Sequence, residues 1–79
     1  MKTKTQTLPK KLEGKIDIYD SGGVVKNELS GGSIELNALE LSMYDLTMGA
    51  ERLGQWDIVE LCIDWFRKNN SKAYRDLLD

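Results

Sequence analysis

Apolar residues in the second half of the chain recur every three or four positions, which is the period of an amphipathic helix. Asn37 followed by Glu40 predicts a capping box at the start of the first helix. Gly54 predicts a left-handed residue at its end. Ser71 is a candidate cap for a short last helix. We predict three helices over about 38–53, 55–68 and 72–78. Their short connections make the first two antiparallel neighbours.

Residues before 37 show a different pattern. Lys15–Tyr19 alternates polar and apolar side chains, as a half-buried strand does. The glycines of Ser21–Gly23 separate it from a second strand-like run, Val24–Leu29, which predicts a β-hairpin. A short third strand is expected at Ser33–Leu36. The fold class is therefore mostly α, with an antiparallel helical hairpin, a short third helix and an N-terminal β-hairpin or extended arm. The predicted organisation is a polar basic arm over 1–12, the hairpin and glycine-rich turns over 13–36, and a helical body over 37–79.

Two apolar stripes are predicted on the first helix, roughly 160° apart at about 100° per residue. One stripe fits a core face. It consists of Leu39, Met43, Leu46, Ala50 and Leu53. The other stripe consists of Leu41, Tyr44 and Met48.

The second helix is apolar over more than half of its circumference. Ile58, Leu61 and Trp65 lie on one side, and Trp56 lies on another. One neighbouring helix cannot cover both sides. We therefore predict an interface through the Leu41, Tyr44 and Met48 stripe or through the Ile58, Leu61 and Trp65 side. Small domains without disulfides or metals often gain the missing burial by oligomerising. A homo-oligomer, with a dimer favoured, or a protein partner is expected.

Composition excludes several classes of site. The chain has no histidine and one cysteine, Cys62. Without histidine, the chain contains neither a Ser–His–Asp nor a Cys–His arrangement. With a single cysteine, it forms no internal disulfide and lacks the ligands of a structural zinc site. No cofactor is expected. No apolar run approaches the ~18 residues of a membrane span, and the basic N-terminus lacks the apolar stretch of a secretory signal. A cytoplasmic location is expected.

Charge is unevenly distributed. Residues 1–33 carry six lysines against four acids, and residues 34–79 carry five bases against nine acids. A basic arm thus precedes an acidic body. The arm offers a weak patch for nucleic acid or another anion. The candidate contacts are Lys2, Lys4, Lys10, Lys11 and Lys15.

Three further groups could carry chemistry, but each has a simpler explanation. Asp57, Glu60 and Asp64 share a helix face and could bind a divalent cation, but i,i+4 pairing of Asp64 with Lys68 is typical of a solvated face. The glycines of Ser30–Ser33 could cradle a phosphate, yet no Gly-Lys-Ser/Thr follows, so a turn is favoured. Cys62 lies on an apolar face and is expected to be a buried, inert thiol.

Two resemblances bear on function. Gly54, Trp56 and Val59 resemble the turn of one tetratricopeptide-type helical hairpin, although Val59 stands where alanine is usual. The stretch 44–79, with Ile63–Asn70 at its centre, is similar to the C-terminal part of small uncharacterised marine bacteriophage proteins. That resemblance implies expression in an infected bacterial cytoplasm and no particular activity.

Together these features predict a non-enzymatic interaction or assembly module that self-associates through an apolar helix face. The alternative is a small accessory regulator that contacts nucleic acid through the lysine-rich arm.

Overall fold

The computed structural model describes residues 6–27 and 31–78. Its fold is mostly α, as predicted, with two packed helices preceded by a two-stranded antiparallel hairpin. A 3-10 turn, Lys10–Leu12, lies in the N-terminal arm, and the strands are β1, Gly23–Lys26, and β2, Ser33–Leu36. The helices are α1, Ala38–Leu53, α2, Trp56–Asn69, and α3, Ser71–Ala73. The last of these continues directly into one π-helical segment, Tyr74–Leu78.

Helix α1 begins and ends at the predicted residues. The Asn37 side chain accepts a hydrogen bond from the Glu40 backbone N–H (2.8 Å), and Glu40 Oε1 accepts one from the Asn37 N–H (2.9 Å). This reciprocal pair is the predicted capping box. At the other end Gly54 adopts φ +73°, a conformation that costs glycine little. Both ends of α1 therefore carry the caps that local sequence predicts.

The β-hairpin is formed by the second and third predicted strands, and the first predicted strand is not part of it. β1 pairs antiparallel with β2, with Val24 opposite Glu35 and Val25 opposite Ile34. Residues 15–19 form no strand, so the prediction for that segment is wrong. Its backbone is used elsewhere, since the Tyr19 N–H donates to Ser42 Oγ of α1 (2.9 Å). Ile16 of this segment packs against the core, whereas Ile18 is 46% exposed, so the alternation does not correspond to one buried face.

Helix α3 begins one residue earlier than predicted and has a different cap. Asn70 Oδ1, not the Ser71 hydroxyl, accepts the hydrogen bond from the Ala73 N–H (3.1 Å). Asn70 also directly follows α2, whose last residue is Asn69. One asparagine therefore forms the corner between α2 and α3.

The core draws on every part of the described chain. Its buried residues are Leu12 of the arm, Leu36 of β2, Met43 of α1, Ala73 of α3, and Cys62, Trp65 and Phe66 of α2. The buried face of α1 is rotated relative to the predicted stripe. Thr47 and Glu40 are buried, whereas Leu53, placed in the core by its spacing, is 74% exposed. The Thr47 hydroxyl satisfies its hydrogen-bonding potential within the helix by donating to the Met43 carbonyl (2.7 Å).

Glu40 is the charged residue buried in this core, with 6% of its surface exposed. Its Oε2 accepts hydrogen bonds from Gln6 Nε2 (2.7 Å) and Asn70 Nδ2 (2.9 Å). Gln6 Oε1 in turn accepts from Asn37 Nδ2 (2.9 Å). A buried carboxylate is tolerated when its oxygens are satisfied in this way. One side chain thus joins the arm, the start of α1 and the α2–α3 corner.

Replacing Glu40 with alanine should lower the free energy of unfolding by about 2–4 kcal/mol, since two amides and one end of the capping box lose their acceptor. Urea denaturation would measure the change. Glu51→Ala is the control, because Glu51 is an exposed glutamate of the same helix and its loss should change stability by no more than ~0.5 kcal/mol. Equal effects of the two substitutions would contradict the structural role assigned to Glu40.

Candidate interaction surfaces

The two tryptophans of α2 have opposite environments. Trp65 is 6% exposed, packs edge-to-face on Phe66 with ring centroids 5.1 Å apart, and donates from Nε1 to the Thr7 carbonyl (2.8 Å). Trp56 is 61% exposed. The expectation that Trp65 faces a partner does not fit this placement, because Trp65 is buried and hydrogen-bonded to the arm of the same chain. The tryptophan available to a partner is Trp56.

The predicted Leu41, Tyr44 and Met48 stripe is half-buried along its whole length. Leu41 and Tyr44 pack against the core cluster. β1 lies over this end of the stripe, since a Cβ built on Gly23 would be 3.5 Å from Leu41 Cδ2. Hairpin and core thus account for much of the apolar surface that the sequence assigned to an interface.

The other predicted side of α2 forms one wall of a groove. Ile58 and Leu61 are half-buried and pack against the core cluster. Opposite them lies the arm, and the groove between has a volume of about 250 Å³. Its lining residues are Lys11, Leu12, Lys15, Asp57, Ile58 and Leu61. The structure therefore brings together two sets of candidate residues that the sequence suggested separately, one apolar and one cationic.

Lys10, Lys11 and Lys15 are exposed on and just after the 3-10 turn of the arm. Within residues 6–27 and 31–78, the structure pairs none of these three lysines with an acid; its ion pairs are Lys68–Asp64 (3.0 Å) and Lys72–Asp76 (2.7 Å). The remaining candidates, Lys2 and Lys4, lie outside the described residues. The described part of the basic patch is thus two lysines on the 3-10 turn and a third lysine three residues after it.

Two of the three most exposed large apolar residues in the described part of the chain lie where α1 turns into α2. Leu53 is 74% exposed and Trp56 is 61% exposed, one on each side of Gly54. We call these two residues the apolar corner. Seven positions separate Trp56 from the half-buried Ile63, which places both on one face of α2. The sequence pattern does not indicate the corner, because the spacing of Leu53 matches the core stripe. The available signal was its position in the last turn, immediately before the capping glycine.

Two described side chains have a shifted pKa. Burial raises the pKa of the Cys62 thiol, and the Thr47 hydroxyl beside it offsets part of that effect. A hydrogen bond from the Tyr19 hydroxyl to Asp45, reinforced by the charge of that carboxylate, raises the pKa of Tyr19. Both groups are therefore held in the protonated form, which is opposite to the activation of a nucleophile.

The other groups considered for chemistry have ordinary positions. Asp57, Glu60 and Asp64 are exposed on α2, and Asp64 is paired with Lys68. In the described residues, no three His, Cys, Asp or Glu side chains converge on a point where a metal ion could sit. Gly31 has φ +76° and donates its N–H to the Asn27 carbonyl (2.8 Å), so this amide is used within the turn. Ser30, at the start of the glycine-rich segment, lies outside the described residues.

Comparison with protein families, curated proteins and solved structures finds no match to this chain. The resemblance of residues 44–79 to marine bacteriophage proteins therefore stays a prediction. Across residues 6–27 and 31–78, none of the helices has the length and apolar character needed to cross a bilayer.

The position of Cys62 predicts slow modification by thiol reagents. In the native protein the reaction should follow opening of the core and run at least ~100-fold slower than in urea. Because burial raises the pKa of the Cys62 thiol in the folded protein, the neutral thiol contributes fully to the free energy of unfolding at pH values below the pKa of the unfolded thiol. That contribution is lost as the pH rises through the pKa of the folded thiol. The rate of thiol modification by an aromatic disulfide reagent is the measurement.

A matched control for this measurement moves the thiol to the surface. Glu60→Cys in a Cys62→Ala background places it two positions away on the exposed face of α2, where modification should be fast. Rapid modification of native Cys62 would show that the thiol is not enclosed as the structure has it.

Proposed function

We propose that this chain is a small non-enzymatic interaction module that self-associates through the apolar corner formed by Leu53 and Trp56. The observation that carries the proposal is their exposure, 74% and 61%, at positions three residues apart in a chain whose other tryptophan is buried. Aromatic residues are enriched at protein interfaces and frequently dominate their binding energy. A second copy of the chain would bury both residues.

The position of the corner also supports association. Leu53 and Trp56 flank the turn between two packed helices, so their backbone is held by the core and by the Gly54 cap. An anchor on a rigid support loses little conformational entropy when it binds. The arm, the hairpin and α3 cover apolar surface elsewhere on α1 and α2. The corner keeps exposed apolar surface that association with a second copy would remove from water.

A binding role is favoured over a catalytic one by the state of the reactive groups. The chain has no histidine. Its single thiol is buried with a raised pKa, and the carboxylates of α2 face solvent. Catalytic groups are usually poised by a lowered thiol pKa or by a base within hydrogen-bond reach.

Replacing Trp56 with glutamate should convert the self-associated protein into a monomer while leaving the fold intact, since the side chain is mostly solvent-exposed. Light scattering across a concentration series measures the molar mass, and circular dichroism checks the fold. Val24→Glu is the matched control, because Val24 is 63% exposed on the outer face of the hairpin and lies away from the corner. A native protein that is monomeric at every concentration would refute self-association.

A second candidate function is contact with nucleic acid, favoured by the exposure of Lys10, Lys11 and Lys15 together on one turn. Such binding would weaken steeply with salt, because each phosphate contact releases counterions. Fluorescence polarisation with a labelled single-stranded oligonucleotide at two salt concentrations is the test. Binding that is lost in a triple Lys→Glu variant at these positions would support this function, and no binding at low salt would eliminate it.

A further inference from the structure

We propose that the groove between the arm and α2 receives the Trp56 side chain of a second copy of this chain, and that the insertion is reciprocal. This inference rests on the proposed self-association and specifies the surface that the apolar corner meets. The groove is lined by the residues named above, Lys11, Leu12, Lys15, Asp57, Ile58 and Leu61.

The size and lining of the groove fit an indole ring. Its volume is about 250 Å³, whereas an apolar cavity of about 150 Å³ already accommodates a benzene ring. Ile58 and Leu61, which are half-buried, supply apolar contacts above the buried Leu12. Lys11 and Lys15 place ammonium groups on the arm side, and a cation next to the face of a tryptophan is attracted by the ring. An aromatic guest with acidic neighbours is therefore the complementary partner.

The apolar corner has that character. Glu51, Asp57 and Glu60 lie within five residues of Trp56 along the chain and are exposed, whereas Arg52 is the base among these near neighbours. Acidic residues thus outnumber basic ones around Trp56 in the sequence, and of these acids Asp57 lies in the groove lining. The arm side of the groove presents the opposite charge, with Lys11 and Lys15 in its lining and Lys10 adjacent in sequence. Complementary charge of this kind orients the partner and fixes the register of docking.

The placement of the two surfaces permits closed two-fold symmetry. Trp56 directly precedes Asp57, which lines the groove, so the inserting side chain and the receiving groove are neighbours on one molecule. A two-fold axis passing between them brings each Trp56 to the groove of the other copy. Such an interface is isologous and ends at a dimer. It also places each corner next to the partner's lysines.

The test is a complementation experiment with two variants of the full chain. Trp56→Ala removes the inserting group and keeps the groove. The double variant Lys11→Glu/Lys15→Glu keeps the inserting group and reverses the charge of the groove. Sedimentation velocity or light scattering measures association of each variant alone and of an equimolar mixture. Each variant alone should associate at least tenfold more weakly than the native chain. The mixture should regain dimer, because one intact insertion is available in the mixed pair.

A charge-matched control separates the groove from net charge. Lys26→Glu/Arg75→Glu changes the net charge by the same amount at two exposed basic residues that do not line the groove, and it should associate as the native chain does. Equal weakening by the two double variants would overturn the groove assignment.

The remaining outcomes distinguish this inference from the proposed function. If Trp56→Ala abolishes association and Lys11→Glu/Lys15→Glu does not change it, the corner meets another surface and the groove assignment is wrong while self-association stands. If both variants are monomeric alone and their mixture stays monomeric, reciprocal insertion is wrong. A native chain that never associates overturns both proposals.

Discussion

The fold depends on a buried carboxylate, Glu40, that accepts hydrogen bonds from three parts of the chain. One oxygen closes the capping box at Asn37, and the other accepts from Gln6 of the arm and Asn70 at the α2–α3 corner. A charge with 6% exposure is costly unless its oxygens are satisfied. The native arrangement of arm and corner supplies the partners. Displacing the arm or the α2–α3 corner removes a hydrogen-bond donor from the buried carboxylate of Glu40. The native packing is therefore favoured over alternative packings of this small core.

The hydrogen bonds of Glu40 explain which parts of the α1–α2 pair are covered by the arm. Glu40 lies in the first turn of α1, close to the C-terminal corner of α2, and the segments that it holds gather at that end. From there the arm runs over one flank of the helices, covering Trp65 and forming the groove beside Ile58 and Leu61. Leu53 lies thirteen residues further along α1, about 20 Å away at ~1.5 Å per residue. The apolar corner lies at the end of the helical pair far from Glu40, where the arm reaches Asp57 but leaves Trp56 exposed.

Local signals in the sequence predicted local structure well. The capping box at Asn37, the left-handed Gly54 and the burial of Cys62 each depend on a few neighbouring residues, and the structure confirms them. Features set by long-range contacts could not be predicted in the same way. The burial of Glu40 requires donors from residues 34 and 30 positions away, and Trp65 is covered by Thr7, 58 positions distant. Similarly, residues 15–19 have the alternation of a strand, but the site available to them is the surface of α1.

Hydrogen exchange of the Trp65 indole N–H is the most direct test of this account, because that hydrogen is donated to the arm at Thr7. If the Glu40 network makes arm and helices one cooperative unit, the indole hydrogen should exchange with the same free energy of opening as the backbone amides of Cys62 and Phe66 at the centre of α2. Nuclear magnetic resonance resolves these signals separately. An indole hydrogen that exchanges through a much less costly opening would show that the arm detaches by itself, and would contradict the central role of Glu40.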